Sequence, residues 1–174
     1  MKIGVLADTH LYHRPVPLPG IVLDIFADAD HIIHAGDIVG PDVIPQLERL
    51  APVTAVAGNL DPDEMRGRYG QKKIVHLGGF AFGVCHGHGK KGSTADRALA
   101  CLGGEGVDCV VFGHSHIPYM GYHEGVLLFN PGSPTDKRRN QYYSVGIMDI
   151  GDIISPGLVF FDANGAVQRI DPDG

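Results

Sequence analysis

The sequence predicts an α/β fold in which two mixed β-sheets stack face to face with helices outside. Three observations lead there. Up to Asn59 the chain alternates apolar strands with helical segments, the β-α-β-α-β order of a parallel sheet with right-handed crossovers. Beyond Asn59 it changes to strands joined by tight turns around a single helix. Some strands are apolar without interruption, as when both faces are covered. A chain of 174 residues is expected to be one domain, residues 1–174, able to bury roughly 70% of its extended surface.

The elements follow in order. Lys2 to Ala7 is a continuous apolar strand. The segment Arg14-Pro15-Val16-Pro17-Leu18-Pro19-Gly20 is too rich in proline to be helical, and a helix follows over about Ile21 to Ala27. Asp30 to Ala35 is the second strand. Pro41 suits the first turn of a helix to about Leu50, with Ile44, Leu47 and Leu50 on one face. Pro52 to Ala57 is the third strand. Lys73 to Leu77 and Phe80 to Cys85 flank Gly78-Gly79, a hairpin signal. Ser93 caps a helix through Leu102, its hydroxyl accepting free N–H groups of the first turn. Val107 to Phe112 is another buried strand. Pro118 to His123 and Val126 to Asn130 are joined by Glu124-Gly125. Tyr142 to Asp149, Leu158 to Asp162 and Ala166 to Ile170 complete the set, the last two joined by Asn164-Gly165.

Composition excludes several function classes. The net charge is −6 and Lys137-Arg138-Arg139 is the densest basic run, so no extended nucleic-acid surface is expected. Cys85, Cys101 and Cys109 are odd in number and lack C-x-x-C spacing, which argues against a zinc-thiolate site or a disulfide framework. The chain opens directly into a strand, and no apolar stretch nears the roughly 20 residues of a membrane span. A cytoplasmic protein without signal peptide or membrane partner is expected.

Five short polar clusters each close an apolar strand: Asp8-Thr9-His10, Gly36-Asp37, Gly58-Asn59, His86-Gly87-His88 and Gly113-His114-Ser115-His116. Ligand sites in α/β sheets lie just outside the carboxyl ends of strands, so these side chains are expected at one sheet edge. Hard oxygen and borderline imidazole ligands together suit transition metals, and the set is too rich for one ion. Singly the clusters are weak, since Gly-Asp and Gly-Asn are everyday turns. Two imidazoles in one Gly-His-x-His turn are harder to explain structurally, because buried imidazoles need partners. His13, His31, His76 and His123 read as surface or structural histidines. His34 lies close enough along its strand to approach the site. Asn130-Pro131-Gly132-Ser133 either lines the cleft or is an Asx turn. Lys137, Arg138 and Arg139 are either solvated charge or contacts for a substrate phosphate.

Taken together, Asp-x-His, Gly-Asp, Gly-Asn, His-Gly-His and Gly-His-x-His resemble the calcineurin-like metallophosphoesterases, and Asn130 to Ser133 resembles their small bacterial and archaeal phosphodiesterase branch. The resemblance implies a four-layer α/β/β/α sandwich. It implies that Asp8, His10 and His116 hold one metal, that Asn59, His86 and His114 hold a second, and that Asp37 bridges both. It further implies hydrolysis of a small phosphodiester, a nucleotide among the candidates, by a metal-activated water. Mn²⁺ is the first expectation, with Zn²⁺, Fe²⁺ or Ni²⁺ as alternatives. Asn59, His88 and Asn130 are candidate substrate contacts.

Two departures stand out. Many relatives carry His after the Gly-Asn pair, where it contacts the phosphate and protonates the leaving group. Here the residue is Leu60, which leaves His88 as the candidate proton donor. Leu11 stands where many relatives have Gly, a change of loop shape. The competing readings are a phosphomonoesterase and a non-catalytic scaffold, because a retromer subunit has this fold with an eroded site. The oligomeric state is left open, a homo-oligomer included.

Overall fold

The computed structural model describes residues 1–12, 17–102, 104–165 and 167–171. His13, the start of the proline-rich segment (14–16) and Ala166 lie outside the described residues. The elements are β1 (Lys2–Leu6), α1 (Gly20–Ile25), β2 (His31–His34), α2 (Val43–Leu47), β3 (Val53–Ala55), α3 (Asp63–Tyr69), β4 (Lys72–Leu77) and β5 (Phe80–Cys85). They continue with α4 (Thr94–Leu102), β6 (Cys109–Val111), β7 (Tyr119–His123), β8 (Val126–Asn130), β9 (Tyr143–Ile150), β10 (Ile154–Phe161) and β11 (Val167–Ile170).

Both sheets are mixed, as the element order requires. One has the order β11-β10-β9-β1-β2-β3, with β1, β2 and β3 parallel. The other runs β4-β5-β6-β8-β7, with β5, β6 and β8 parallel. Three separate apolar clusters define the four layers. Ile3, Val5 and Ile33 of the first sheet meet Phe82, Val111 and Phe129 of the second between the sheets. On the outer face of the first sheet, Leu6 and Ile32 meet Val22 and Phe26 near α1 and Ile44 and Leu47 of α2. On the outer face of the second, Val110 and Leu128 meet Ala98 and Leu102 of α4. Alternate residues along β1 thus serve two cores, the period-two signature of a strand covered on both faces. Each fully buried ring such as Phe26 or Phe129 contributes about 1.5–3 kcal/mol.

Turns and caps follow the local chemistry. Gly78 and Gly79 both have positive φ (58° and 92°), as a two-residue hairpin turn with the right strand twist demands. At α4, Ser93 Oγ accepts the Asp96 N–H at 3.1 Å while Asp96 Oδ2 accepts the Ser93 N–H at 2.8 Å, a reciprocal capping box. The helix expected from Pro41 to Leu50 is shorter at both ends. Pro45 lies in the first turn of α2, where its missing N–H costs nothing, and the chain turns after Leu47. Likewise Val56 and Ala57 lie beyond the ladder of β3. The α3 helix was not expected. Among the described residues no helix is long and apolar enough to cross a membrane.

Candidate metal centre

Because β1, β2 and β3 are parallel and β5 and β6 are parallel, all five ligand-bearing loops leave their sheets at carboxyl ends. The stacked sheets bring those ends together. Asp8 Oδ1 lies 3.6 Å from His10 Nε2, 3.5 Å from His116 Nε2 and 3.8 Å from His86 Nε2. Asp37 Oδ2 lies 3.2 Å from His86 Nε2 and 3.7 Å from His10 Nε2. Two groups result, Asp8 with His10 and His116, and Asp8 with Asp37 and His86. The ring centroids of His86 and His114 are 5.3 Å apart, and His88 stands 5.7 Å from His86 and 6.3 Å from His114.

The backbone is bent to achieve this. Asp8, His10, Asp37, His114 and His116 have φ between 45° and 69°, five of the eight non-glycine residues with positive φ among those described. Each such residue costs roughly 1–2 kcal/mol, and concentrating them at one site is the mark of a functional constraint. Hydrogen bonds hold them there. The Asp8 N–H donates to Gly36 O (2.9 Å) and the His10 N–H to Asp37 O (3.1 Å). Ser133 Oγ donates to Asp8 O (2.8 Å), Thr135 Oγ1 to Thr9 O (2.6 Å) and Asn140 Nδ2 to His116 O (2.7 Å). The His114 N–H donates to Asp8 Oδ2 at 2.8 Å, which leaves Oδ1 free to face the imidazoles.

The donor atoms fit divalent cations. His86 Nδ1 faces Ala35 O at 2.8 Å and His116 Nδ1 faces Asp136 O at 2.6 Å. A carbonyl can only accept, so both Nδ1 atoms carry a proton, and in the neutral rings both Nε2 atoms present lone pairs. His116 Nε2 lies 3.1 Å from His10 Nε2, a contact that a shared cation would make attractive. Asp8 Oδ1, Asn59 Oδ1 and His86 Nε2 are buried without any hydrogen-bond partner. Such atoms cost about 1–3 kcal/mol each unless something else satisfies them. A cation satisfies all three.

Charge and burial agree with ligation. Burial opposes ionisation of Asp37, but the His86 ring 3.2 Å away and the Leu60 N–H hold its pKa down at about 2. Burial in turn lowers the pKa of His86, but Asp37 and Asp8 raise it overall, so a cation and a proton compete for its Nε2. His114 and His88 both titrate below the ordinary value, first through burial and then through the charge on His86, so they are neutral at neutral pH. Neutral imidazole is the ligating form.

The melting temperature is expected to fall by about 5–10 °C on chelation, because ligands bound only by the folded chain at a hundredfold their Kd add about 2.7 kcal/mol. Recovery on adding Mn²⁺ is expected, since Asp8 and Asp37 repel without cations. Differential scanning calorimetry with metal loss confirmed by elemental analysis checks this; an unchanged melt contradicts it.

Several residues sort differently from their sequence readings. Asn130 is wholly buried; its Nδ2 donates to Gly113 O (2.9 Å) and Ser115 Oγ (3.1 Å), and its Oδ1 accepts the Gly132 N–H (2.9 Å). The substrate contact considered for Asn130 is therefore corrected: with its amide committed, it shapes the His114–His116 loop. Lys137 Nζ donates to Asn140 O and Gln141 O, and Arg138 pairs with Asp136. His31 bonds Thr54 Oγ1, while His76 and His123 are exposed. Asp61 was missed. It is buried and clamps two loops, Oδ2 accepting the Gly58 N–H (2.7 Å) and Oδ1 the Val39 N–H (2.6 Å). Gly58 itself admits no side chain, since a Cβ would stand 2.5 Å from Asp37 N.

His34 is also a structural residue. Its Nδ1 accepts the Gly36 N–H at 3.2 Å, which fixes the proton on Nε2 for the bond to Thr9 Oγ1 at 3.1 Å. Burial, followed by the charge on His86, lowers its pKa to about 3. The unfolded chain, with a pKa near 6.5, then binds that proton more readily. Stability from this residue is complete above about pH 6.5 and is lost as pH falls towards 3. Between pH 7 and pH 5 the loss is about 2 kcal/mol. Urea midpoints of the chelated protein should show a drop smaller by that amount in His34→Asn; equal drops would refute it.

Carboxylates and imidazoles gathered at the strand ends of two stacked sheets define a metallophosphoesterase. The calcineurin-like phosphoesterase superfamily domain matches residues 1–152, and the chain belongs to that family. It is 40% identical over 144 residues to a protein of Methanothermobacter thermautotrophicus named "probable metallophosphoesterase", covering 79% of this chain and 80% of that one. It is 32% identical over 149 residues to a phosphodiesterase of Methanocaldococcus jannaschii, covering 76% and 83%. In structure it resembles wild-type Vps29 of Entamoeba histolytica, crystallised with Zn²⁺, with a TM-score of 0.80, 24% identity and coverage of 98% and 99%. At that identity the likeness concerns the fold alone.

Proposed function

We propose that this protein is a dinuclear-metal-dependent phosphodiesterase acting as a single domain. The observation that supports the reading is the set of three buried, unpartnered donors, Asp8 Oδ1, Asn59 Oδ1 and His86 Nε2, among the seven proposed ligands. Asp8, His10 and His116 would hold one ion, Asn59, His86 and His114 the other, and Asp37 both, with Mn²⁺ the first choice. When bound, two such ions supply a water of lowered pKa and neutralise charge on phosphoryl oxygens. The chain's own residues do the rest. Asp61, Asn130, Ser133 and Thr135 fix the loops, so the ligands need no reorganisation when substrate arrives. His88, exposed and neutral, is placed to meet the substrate or give a proton.

A small phosphodiester is favoured because it carries one negative charge where a monoester carries nearly two, and the residue after Asn59 is aliphatic. A nucleotide diester is one candidate. The test is a screen of mono- and diesters with Mn²⁺, Zn²⁺, Fe²⁺ and Ni²⁺, with Asp8→Ala as control. Two bound metals without any hydrolysis above that control would favour a scaffold function for this fold.

A further inference from the structure

Three side chains rim the metal centre, Leu60 and His88 exposed and Arg66 half-buried. Leu60 follows ligand Asn59 directly and is 46% exposed. Arg66 lies one turn into α3, and its NH2 donates to the backbone oxygen of Asn59 at 2.8 Å. The guanidinium is thereby seated on the loop that carries a metal ligand, with its side chain 40% exposed. Its other contact is Asp63 Oδ1 at 3.1 Å, an exposed i,i+3 pair that contributes little and is readily exchanged. A guanidinium has five N–H donors, so three remain unused. Lys90 and Lys91, exposed two and three residues after His88, serve as comparison cations, and others are engaged elsewhere. Arg97 uses all three nitrogens on Gly87 O, Gly92 O and Thr94 Oγ1. Lys137 is held by backbone carbonyls and Arg138 by Asp136.

We propose that Arg66 is a substrate-binding residue, its free N–H groups clamping a non-bridging oxygen of the substrate's phosphoryl group and setting specificity for a phosphorylated ligand on the Leu60 side of the cleft. This rests on the phosphoesterase reading above. A planar, permanently charged fork suits a phosphoryl oxygen better than a mobile ammonium does. Anchorage on Asn59 O fixes its position relative to the metal ligands, and α3, held on the core by half-buried Met65 and Tyr69, carries it there.

The test uses the full-length protein loaded with Mn²⁺, with metal content measured throughout. Orthophosphate is titrated calorimetrically into the parent, Arg66→Gln, Arg66→Lys and a Lys90→Ala/Lys91→Ala double variant, and KM and kcat are measured on a bis-aryl phosphate. Gln removes the charge and is two bonds shorter, so Arg66→Lys and the metal content separate loss of charge from loss of the bond to Asn59 O. The expectation is an orthophosphate Kd and a KM about 10- to 100-fold higher in Arg66→Gln, with kcat less affected and both metals retained. Arg66→Lys should recover part of the loss, and the double variant should change by less than about fivefold. Unchanged orthophosphate affinity in Arg66→Gln overturns the proposal. So does metal loss in both Arg66 variants, which would make Arg66 only a prop for Asn59, or a larger effect in the double variant. If the parent hydrolyses nothing yet Arg66→Gln binds orthophosphate more weakly, the phosphoesterase reading fails and the assignment of Arg66 stands.

Discussion

Replacing Asp37 with alanine is expected to lower phosphodiester turnover by about a thousandfold or more and to leave the protein short of metal. Asp37 Oδ2 approaches both His86 and His10, as a carboxylate proposed to serve both ions should. Its Oδ1 accepts the Leu60 N–H at 2.8 Å and orders the loop that carries Asn59. Metal polarisation contributes several kcal/mol to phosphoryl transfer, and each 1.36 kcal/mol is a factor of ten. Asp37→Asn separates charge from structure, since an amide oxygen can still accept from Leu60 but ligates weakly. Both variants should keep the parent's circular dichroism and lose metal by elemental analysis, with Asp37→Asn the better folded. Full metal content in folded Asp37→Ala would remove Asp37 from the centre.

Much of this candidate centre was legible in the sequence because its polar residues ride on strand ends. Buried parallel strands such as Ile3–Ala7 are the easiest elements to read, and the residue after such a strand must sit at the carboxyl edge. Turn chemistry was equally plain at Gly78-Gly79 and Glu124-Gly125. What the sequence hid was whatever lacks periodicity or depends on a distant partner. Residues Asp63–Tyr69 offer only Met65 and Tyr69 to the core and bury nothing completely, so α3 has too short an apolar stripe to announce it, and Arg66 was hidden with it. Asp61 reads as one more turn aspartate beside Pro62. Only the fold shows that its carboxylate ties Gly58 to Val39. Asn130 and His34 have the right chemistry for a site and the wrong surroundings: neighbours from other strands use up their polar atoms.

Leu60 should make the proposed phosphodiesterase strongly selective for diesters with good leaving groups over alkyl phosphate monoesters. Protonating a poor leaving group is worth roughly 10²–10⁴-fold, and the side chain next to Asn59 is an exposed aliphatic one. Arg66 does not change this expectation, because a guanidinium supplies charge but gives up no proton near neutral pH. His88 is the residue able to blunt the contrast. It is neutral and exposed, so His88→Ala belongs in the same assay. The comparison uses the mono- and bis-aryl esters of one phenol at saturating Mn²⁺, then alkyl monoesters, with parent, His88→Ala and Leu60→His. Leu60→His should raise monoester kcat/KM relative to diester kcat/KM, with the gain growing as the leaving group worsens and fading as the imidazole loses its proton at alkaline pH. If the parent cleaves the aryl monoester as efficiently as the diester, the aliphatic side chain is not what limits the reaction. If His88→Ala then abolishes that activity, the proton comes from the His86–His88 loop instead.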